Sequence, residues 1–156
     1  ISTTSMLFMI FVGAAAFTQV ITYLGITAEL SEFVGALTVP PLVVIFAMQL
    51  LIFFLGMIVD AGSIICITVP IFTPILSLLG YDPLLFGLAM MINLSIATLT
   101  PPVGLNLFIL KSVAPEGVDI MDIARGAAPF IGLLMLTLVL LLAFPQIGLW
   151  LPSLMK

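Results

Sequence analysis

Oxygen-bearing side chains and glycines interrupt the apolar sequence in two places. The first is residues 56–63, with the sequence Gly-Met-Ile-Val-Asp-Ala-Gly-Ser, and the second is residues 98–106, with Thr-Leu-Thr-Pro-Pro-Val-Gly-Leu-Asn. Both segments offer hydroxyl, carbonyl, amide or carboxylate oxygens, which are the ligands that hard cations prefer. Because discontinuous helices can place such oxygens and helix ends at the centre of a membrane, the two segments predict a site for a cation and an anionic substrate.

Asp60 is the carboxylate of the first segment, and no other acid lies between Glu32 and Asp82. An acid inside a membrane is a functional candidate, but the same residue could cap a following helix at the membrane surface. Gly62 and Ser63 offer a carbonyl and a hydroxyl to a sodium ion, and ordinary turn chemistry explains them equally well. Both interpretations stay open.

Pro101 and Pro102 define the second segment. They remove two backbone donors and push Thr100 away from helical geometry, so a helix must break there. Uncharged sequence continues on both sides, over residues 83–110. Irregular backbone at membrane depth is tolerated only inside protein or beside a water-filled cavity. The oxygens expected to bind a ligand there belong to Thr98, Thr100 and Asn106.

Three further polar residues, Gln49, Asn93 and Ser95, lie inside apolar runs. Polar side chains in such surroundings usually form hydrogen bonds between helices. We therefore predict packing roles for them.

The composition places the chain in a membrane. Of its 156 residues, 63% are hydrophobic and 6% are charged. The uncharged runs at 1–28, 33–59, 61–81, 83–110 and 126–155 each reach the length of about 20 residues that a spanning helix needs. Seven acids and three bases are too few for a nucleic-acid surface. Without histidine, and with one cysteine, zinc sites, disulfides and histidine catalysis have no residues to use, and we expect no enzyme.

These runs predict an all-α integral membrane protein with one transmembrane domain over residues 1–156. We expect a transmembrane helix over 3–25, a helical hairpin over 40–79, a broken transmembrane helix over 84–113 and a transmembrane helix over 129–150. Pro70 and Pro74 should interrupt the second half of the hairpin. From the residues alone, the hairpin is either two full spans joined by an external loop or two half-length helices that re-enter the membrane with a tip at 60–63.

Several motifs, taken in order, resemble the large permease subunit of tripartite ATP-independent periplasmic (TRAP) transporters. They are Gly-Met-Ile-Val-Asp at 56–60, Val-Pro-Ile-Phe-Thr-Pro at 69–74, Gly-Tyr-Asp-Pro at 80–83, Phe-Gly at 86–87, Thr-Pro-Pro-Val-Gly-Leu-Asn-Leu-Phe at 100–108 and the segment 119–130. The resemblance covers nearly the whole chain.

The resemblance implies an ion-transporter-superfamily fold with inverted repeats, each of which contains a re-entrant hairpin and a discontinuous helix. It also implies that the protein moves its substrate by an elevator motion. Since this sequence holds one such pattern, it should be the second repeat, in the C-terminal part of a longer permease.

The resemblance also implies a function and its partners. Such permeases lie in the bacterial inner membrane and import organic acids such as dicarboxylates or sialic acid, with sodium as coupling ion and no other cofactor. A periplasmic binding protein delivers the substrate, and a small membrane subunit supports the permease. Carried onto this sequence, one sodium site would use Asp60, Gly62, Thr98 and Gly104. Half the substrate site would use Ser63, Thr100, Pro101, Pro102 and Asn106.

Two other functions remain compatible with the residues. A carrier of the same superfamily that takes its substrate directly would import it without a soluble component. A membrane scaffold that transports nothing would have contiguous helices at Asp60 and Thr100 and no cavity, and the tandem prolines argue against this.

Overall fold

The computed structural model describes residues 2–101, 104–115 and 117–154, and every regular element in these ranges is a helix. The helices are α1 (Ser2–Tyr23), α2 (Ile26–Ala36), α3 (Pro41–Gly56), α4 (Ala61–Leu78), α5 (Pro83–Leu99), α6 (Leu105–Val113), α7 (Ile120–Ala143) and α8 (Pro145–Ser153). The predicted all-α class is confirmed.

By length and composition, two of the described helices can cross a membrane, namely α4 and α7. A third span is possible if α1 and α2, bent by 62° relative to each other, count as one. Gly25 lies at this bend with φ of +73°, a conformation that glycine adopts without steric cost. The apolar helices α3 and α5 are shorter. The chain is therefore a membrane protein with some elements shorter than a complete span.

The chain forms two compact units. The first contains the described residues up to Ile45 together with Ala61–Pro83, and in it α1, α2 and α4 pack against one another. Gly35 of α2 approaches α4 closely, because a Cβ atom at this position would lie 3.4 Å from Cδ2 of Leu78.

Pro70 and Pro74 lie inside α4, which is one continuous helix. The prediction that they interrupt it is wrong. Each proline removes a single backbone donor, and the helical hydrogen bonds of the adjacent turns keep the axis continuous. Two spaced prolines remove as many donors as the adjacent pair at 101–102, but each lost hydrogen bond lies between helical bonds that remain.

The second unit contains Phe46–Asp60 and the described residues from Leu84 onward. In it α7 packs against α6 and α8. The last predicted helix, over 129–150, differs from the observed elements. A capping box starts α7 earlier: the Asp119 side chain accepts from the backbone N–H of Asp122, and the Asp119 N–H donates to the Asp122 side chain at 3.2 Å. The Asp119 side chain also accepts from the N–H of Ile120 at 2.7 Å. Pro129 then lies inside α7, and Pro145 begins α8.

Candidate functional site

The helices α5 and α6 are separated by the segment that contains the tandem prolines of positions 101 and 102. α5 ends at Leu99 and α6 begins at Leu105. Because prolines lack an N–H, residues 101 and 102 cannot donate to the carbonyls of Ala97 and Thr98 as a continuing α-helix would require. The Thr100 N–H takes over the Ala97 carbonyl at 3.2 Å, which tightens the last turn. The Thr98 carbonyl has lost its helical donor, which makes it a candidate ligand for a cation.

A side-chain hydrogen bond joins the two sides of this interruption. Asn106 Nδ2, on α6, donates to Thr98 Oγ1, on α5, at 3.1 Å. The Thr98 hydroxyl in turn donates to the Ser95 carbonyl at 3.1 Å. Thr98 is half-buried and Asn106 is exposed. Two residues predicted for different ligands, sodium and substrate, therefore lie in direct contact.

Gly104 gives the interruption its shape. It is buried, has φ of +47° and ψ of 82°, and precedes the first residue of α6. A Cβ atom there would lie 2.9 Å from the Thr100 carbonyl oxygen and 2.9 Å from Cδ1 of Leu107. Its own carbonyl accepts from the N–H of Leu107 at 2.8 Å and from the N–H of Phe108 at 3.4 Å. Gly104 thus opens α6, and its carbonyl, predicted to bind sodium, already has two helical donors.

The Thr100 side chain is directed to its own helix, where its hydroxyl donates to the Ile96 carbonyl at 2.7 Å. Its oxygen keeps lone pairs for a further partner. Pro101 is half-buried beside it. Pro102, the other proline predicted to contact substrate, lies outside the described residues. Contact of Thr100 and Pro101 with a substrate stays a prediction.

Asp60, Gly62 and Ser63 lie where α4 begins. Asp60 is exposed and directly precedes Ala61, the first residue of α4, so it occupies the position of an N-cap. Gly62 and Ser63 are half-buried in the first turn of α4. Their proposed roles as ligands stay predictions, as does the re-entrant form of the hairpin.

Buried amides connect α3 and α5 within the second unit. Asn93 Nδ2 donates to the Gln49 carbonyl at 2.6 Å and to Gln49 Oε1 at 2.9 Å. Gln49 Nε2 donates to the Phe86 carbonyl at 3.4 Å. The predicted packing roles of Gln49 and Asn93 are confirmed, although sequence gave no means of pairing them. Ser95 instead donates to the Met91 carbonyl of its own helix.

The oxygen atoms around the interruption suit a hard cation better than a transition metal. They belong to hydroxyl, amide and carbonyl groups, whereas transition metals favour imidazole and thiolate. Within the described ranges, no three His, Cys, Asp or Glu side chains are grouped so that they could hold a metal ion.

Comparison with known proteins extends these observations. The model of the family described as "Tripartite ATP-independent periplasmic transporter, DctM component" matches residues 1–147. The C4-dicarboxylate TRAP transporter large permease protein DctM of Pseudomonas aeruginosa is 33% identical over 96% of this chain and 35% of its own length. The sialic acid TRAP transporter large permease protein SiaM of Vibrio cholerae is 29% identical over 99% of this chain and 36% of its own length. The ectoine/5-hydroxyectoine TRAP transporter large permease protein UehC of Ruegeria pomeroyi is 31% identical over 97% of this chain and 35% of its own length. The chain thus spans about a third of the length of the relatives it matches.

Proposed function

The chain belongs to the DctM-component family of tripartite ATP-independent periplasmic transporters, and we propose that it forms the C-terminal part of the large membrane subunit of a sodium-coupled importer. The proposed substrate is an organic acid, either a dicarboxylate or a sialic-acid-like molecule. Two relatives are named for C4-dicarboxylates and sialic acid, which supports this class. The observation that carries the proposal is the interrupted helix whose two sides are joined by Thr98 and Asn106.

Each side of the interruption supplies a different kind of group. On the α5 side, the Thr98 carbonyl without its helical donor and the Thr98 hydroxyl present oxygens to sodium. On the α6 side, the first N–H groups and the positive end of the helix dipole favour an anionic carboxylate. Asp60, in the same compact unit as Thr98 and Asn106, is proposed to add a carboxylate oxygen. The roles of Gly62 and Ser63 as ligands rest on the resemblance alone. Gly104 allows the chain to turn between the two sides.

This arrangement explains why a cation and an anion would be carried together. An anion is costly at the centre of a membrane unless a positive charge and hydrogen-bond donors compensate it. A sodium ion that binds one side of the interruption lowers this cost for a substrate at the other. Sodium can also shift the population toward a state competent to bind substrate, provided that it binds this state more tightly.

The remaining proposals concern the complete transporter. We propose a bacterial inner-membrane location, an N-terminal repeat in the same permease, a small membrane subunit and a periplasmic binding protein that delivers the substrate. In this proposal the hairpin and the discontinuous helix move together in an elevator motion. The membrane-spanning lengths of α4 and α7 and the family membership support the location.

The test uses the full-length permease with its small subunit, reconstituted in proteoliposomes. Uptake of radiolabelled C4-dicarboxylates and sialic acid is measured with and without an inward sodium gradient and the binding protein. We expect accumulation to need both. Uptake without the binding protein would indicate a direct carrier, and no uptake of any member of the panel would contradict the proposed substrate class.

A matched pair of variants tests the site itself. Thr98→Val removes the hydroxyl that bonds Asn106 and is proposed to bind sodium, and we expect it to raise the sodium concentration for half-maximal uptake about tenfold, which corresponds to the loss of about 1.4 kcal/mol. Ser95→Ala removes an exposed hydroxyl that bonds only within α5 and should leave uptake unchanged. Equal sodium dependence of both variants would refute the assignment of residues 98–106.

A further inference from the structure

Hydrogen bonds from the side chains of Gln49 and Asn93 join α3 and α5 in both directions. Each side chain donates to a backbone carbonyl of the other helix: Asn93 to the carbonyl of Gln49, and Gln49 to that of Phe86. A helix carbonyl points toward the C-terminal end of its helix, whereas side chains lean toward the N-terminal end. The Phe86 carbonyl and the Asn93 side chain, two turns apart on α5, therefore converge on one level of α3. We call Gln49 and Asn93 the amide pair.

Both members of the amide pair are buried. Gln49 is 8% exposed and Asn93 is 6% exposed. Ala89, which lies between Phe86 and Asn93 on the same face of α5, is completely buried, as is Ile52 on α3. The three hydrogen bonds can form at only one rotation and one axial offset of the two helices, so the pair specifies their register.

The two segments predicted to bind ligands, 56–63 and 98–106, each begin at the end of a helix that the amide pair joins. Asp60 follows the end of α3, and Thr98 lies near the end of α5. Phe46–Asp60 and Leu84 onward belong to the same compact unit. A change of register between α3 and α5 would therefore displace the segment that carries Asp60 relative to the interruption at Thr98.

We propose that Gln49 and Asn93 are positioning residues that hold α3 and α5 in one register and thereby set the geometry of the ion and substrate site. Hydrophobic burial supplies little of this specificity in a bilayer, because lipid tails solvate apolar side chains in any register. A buried polar pair can supply it, because every other register leaves its amides without partners. The role in uptake rests on the function proposed above, whereas the role in register does not.

Three variants of the full-length permease separate positioning from simple stabilisation. Asn93→Leu leaves the buried Gln49 Oε1 without its donor and should lower both thermal stability and uptake. Gln49→Met should be milder, since Asn93 can still donate to the backbone carbonyl of residue 49. In the double variant no side-chain amide remains to be satisfied, so stability should recover. Uptake should not recover: the sodium concentration for half-maximal uptake should stay about three- to tenfold above that of the wild type, the range that interhelical hydrogen bonds in membranes represent.

Thr68→Val is the matched control. Thr68 is as buried as the amide pair, but its hydroxyl donates to the Ile64 carbonyl within α4. Loss of this hydroxyl should change neither register nor sodium dependence. If the double variant of the amide pair regains uptake along with stability, the pair only stabilises the fold and the proposal is wrong.

A distance measurement reads the register directly. Spin labels at Leu50 on α3 and Met91 on α5, both exposed, are introduced into permeases in which Cys66 and any other cysteine are replaced. Pulsed electron paramagnetic resonance should give one narrow distribution of distances between the two labels in the otherwise unchanged protein. In the double variant of Gln49 and Asn93 this distribution should be shifted or broadened. An unchanged narrow distance would overturn the proposal even in a protein that transports nothing. Failure of sodium-dependent uptake in the wild type, with the expected change in distance, would contradict only the proposed function.

Discussion

Replacement of Gly104 by alanine should destabilise the permease more than any ordinary glycine substitution. Gly104 combines two constraints: its φ is +47°, and an added Cβ would lie 2.9 Å from both the Thr100 carbonyl oxygen and Cδ1 of Leu107. Leu107 is completely buried, which limits its movement. The Thr100 carbonyl belongs to the backbone and cannot rotate away by itself.

The expected cost follows from these two constraints. The left-handed conformation costs an alanine about 1–2 kcal/mol. Overpacking against buried atoms adds about 1–3 kcal/mol. The free energy of unfolding should therefore fall by about 3 kcal/mol, unless the turn between α5 and α6 changes shape. In that case, stability is partly retained and sodium-dependent uptake is lost instead.

Two other glycines separate the contributions. Gly25 also has a positive φ, +73°, but nothing lies within 4 Å of its Cβ position, so Gly25→Ala should lose only about 1–2 kcal/mol. Gly132 lies inside α7 in open space, and Gly132→Ala should be neutral or stabilise by up to about 1 kcal/mol through helix propensity.

Unfolding of the three purified full-length variants in mixed detergent micelles, followed by circular dichroism, measures this order. We expect Gly132→Ala to unfold at the highest denaturant concentration, then Gly25→Ala, then Gly104→Ala. Sodium-dependent uptake, measured in parallel, should fall most in Gly104→Ala. If Gly104→Ala and Gly25→Ala had equal stability and equal uptake, the close approach of Thr100 and Leu107 to residue 104 would be refuted.

Three further predictions concern a glycine in α8, the N-terminal cap of α7 and a tyrosine in the turn between α4 and α5. Gly148→Ala should lower stability by no more than about 1 kcal/mol, because the atoms nearest its Cβ are the terminal Cδ1 methyls of Leu141, at 2.7 Å, and Leu88, at 2.9 Å, which can move. Gly126→Ala, in open space, should not lower stability, as detergent unfolding can show. Asp119→Ala should remove the cap of α7, at a cost of about 1 kcal/mol, and increase amide hydrogen exchange in its first turn, whereas Asp119→Ser should retain protection. Desolvation and then the charge of Asp82 raise the pKa of Tyr81, in the turn between α4 and α5. The neutral phenol is thus favoured in the folded state. The stability that the neutral Tyr81 phenol contributes is complete below the ordinary pKa of 10.0 and is lost as pH rises above that value. Unfolding measured at alkaline pH should show this loss of stability in the wild type and not in Tyr81→Phe.

Backbone chemistry explains why the interruption at the tandem prolines could be predicted. Two adjacent residues without an N–H leave two successive carbonyls without helical donors, and no tertiary contact can restore them as an α-helix. The same reasoning was wrong for Pro70 and Pro74, because separated prolines each remove one bond from a helix that otherwise remains intact. The spacing of the prolines decided the outcome.

The partners of polar residues could not be predicted from the sequence. Asn93 and Ser95 lie two positions apart in the same apolar run, yet Asn93 bonds α3 and Ser95 bonds its own helix. A serine hydroxyl can reach the carbonyl four residues earlier, whereas the amide group of Asn93 reaches the facing helix. Which helix faces α5 depends on tertiary packing, which hydrophobic periodicity does not specify in a chain that is 63% hydrophobic.

Helix α5 makes two contacts with other helices of the second unit, one that sets the register of α3 and α5 and one at the candidate site. Asn93 bonds α3, and Thr98, further along the same helix, bonds Asn106 of α6. The first contact is buried and the second is partly exposed, so they should respond differently to substitution. Loss of a buried amide contact leaves its partner without water and affects folding and uptake together. Loss of the exposed contact allows water to replace the missing group, so Thr98 variants should fold normally and be altered in ion dependence. The proposed binding and release of sodium would need this second kind of contact at the site, because a bond that water can replace is one that an ion can also replace.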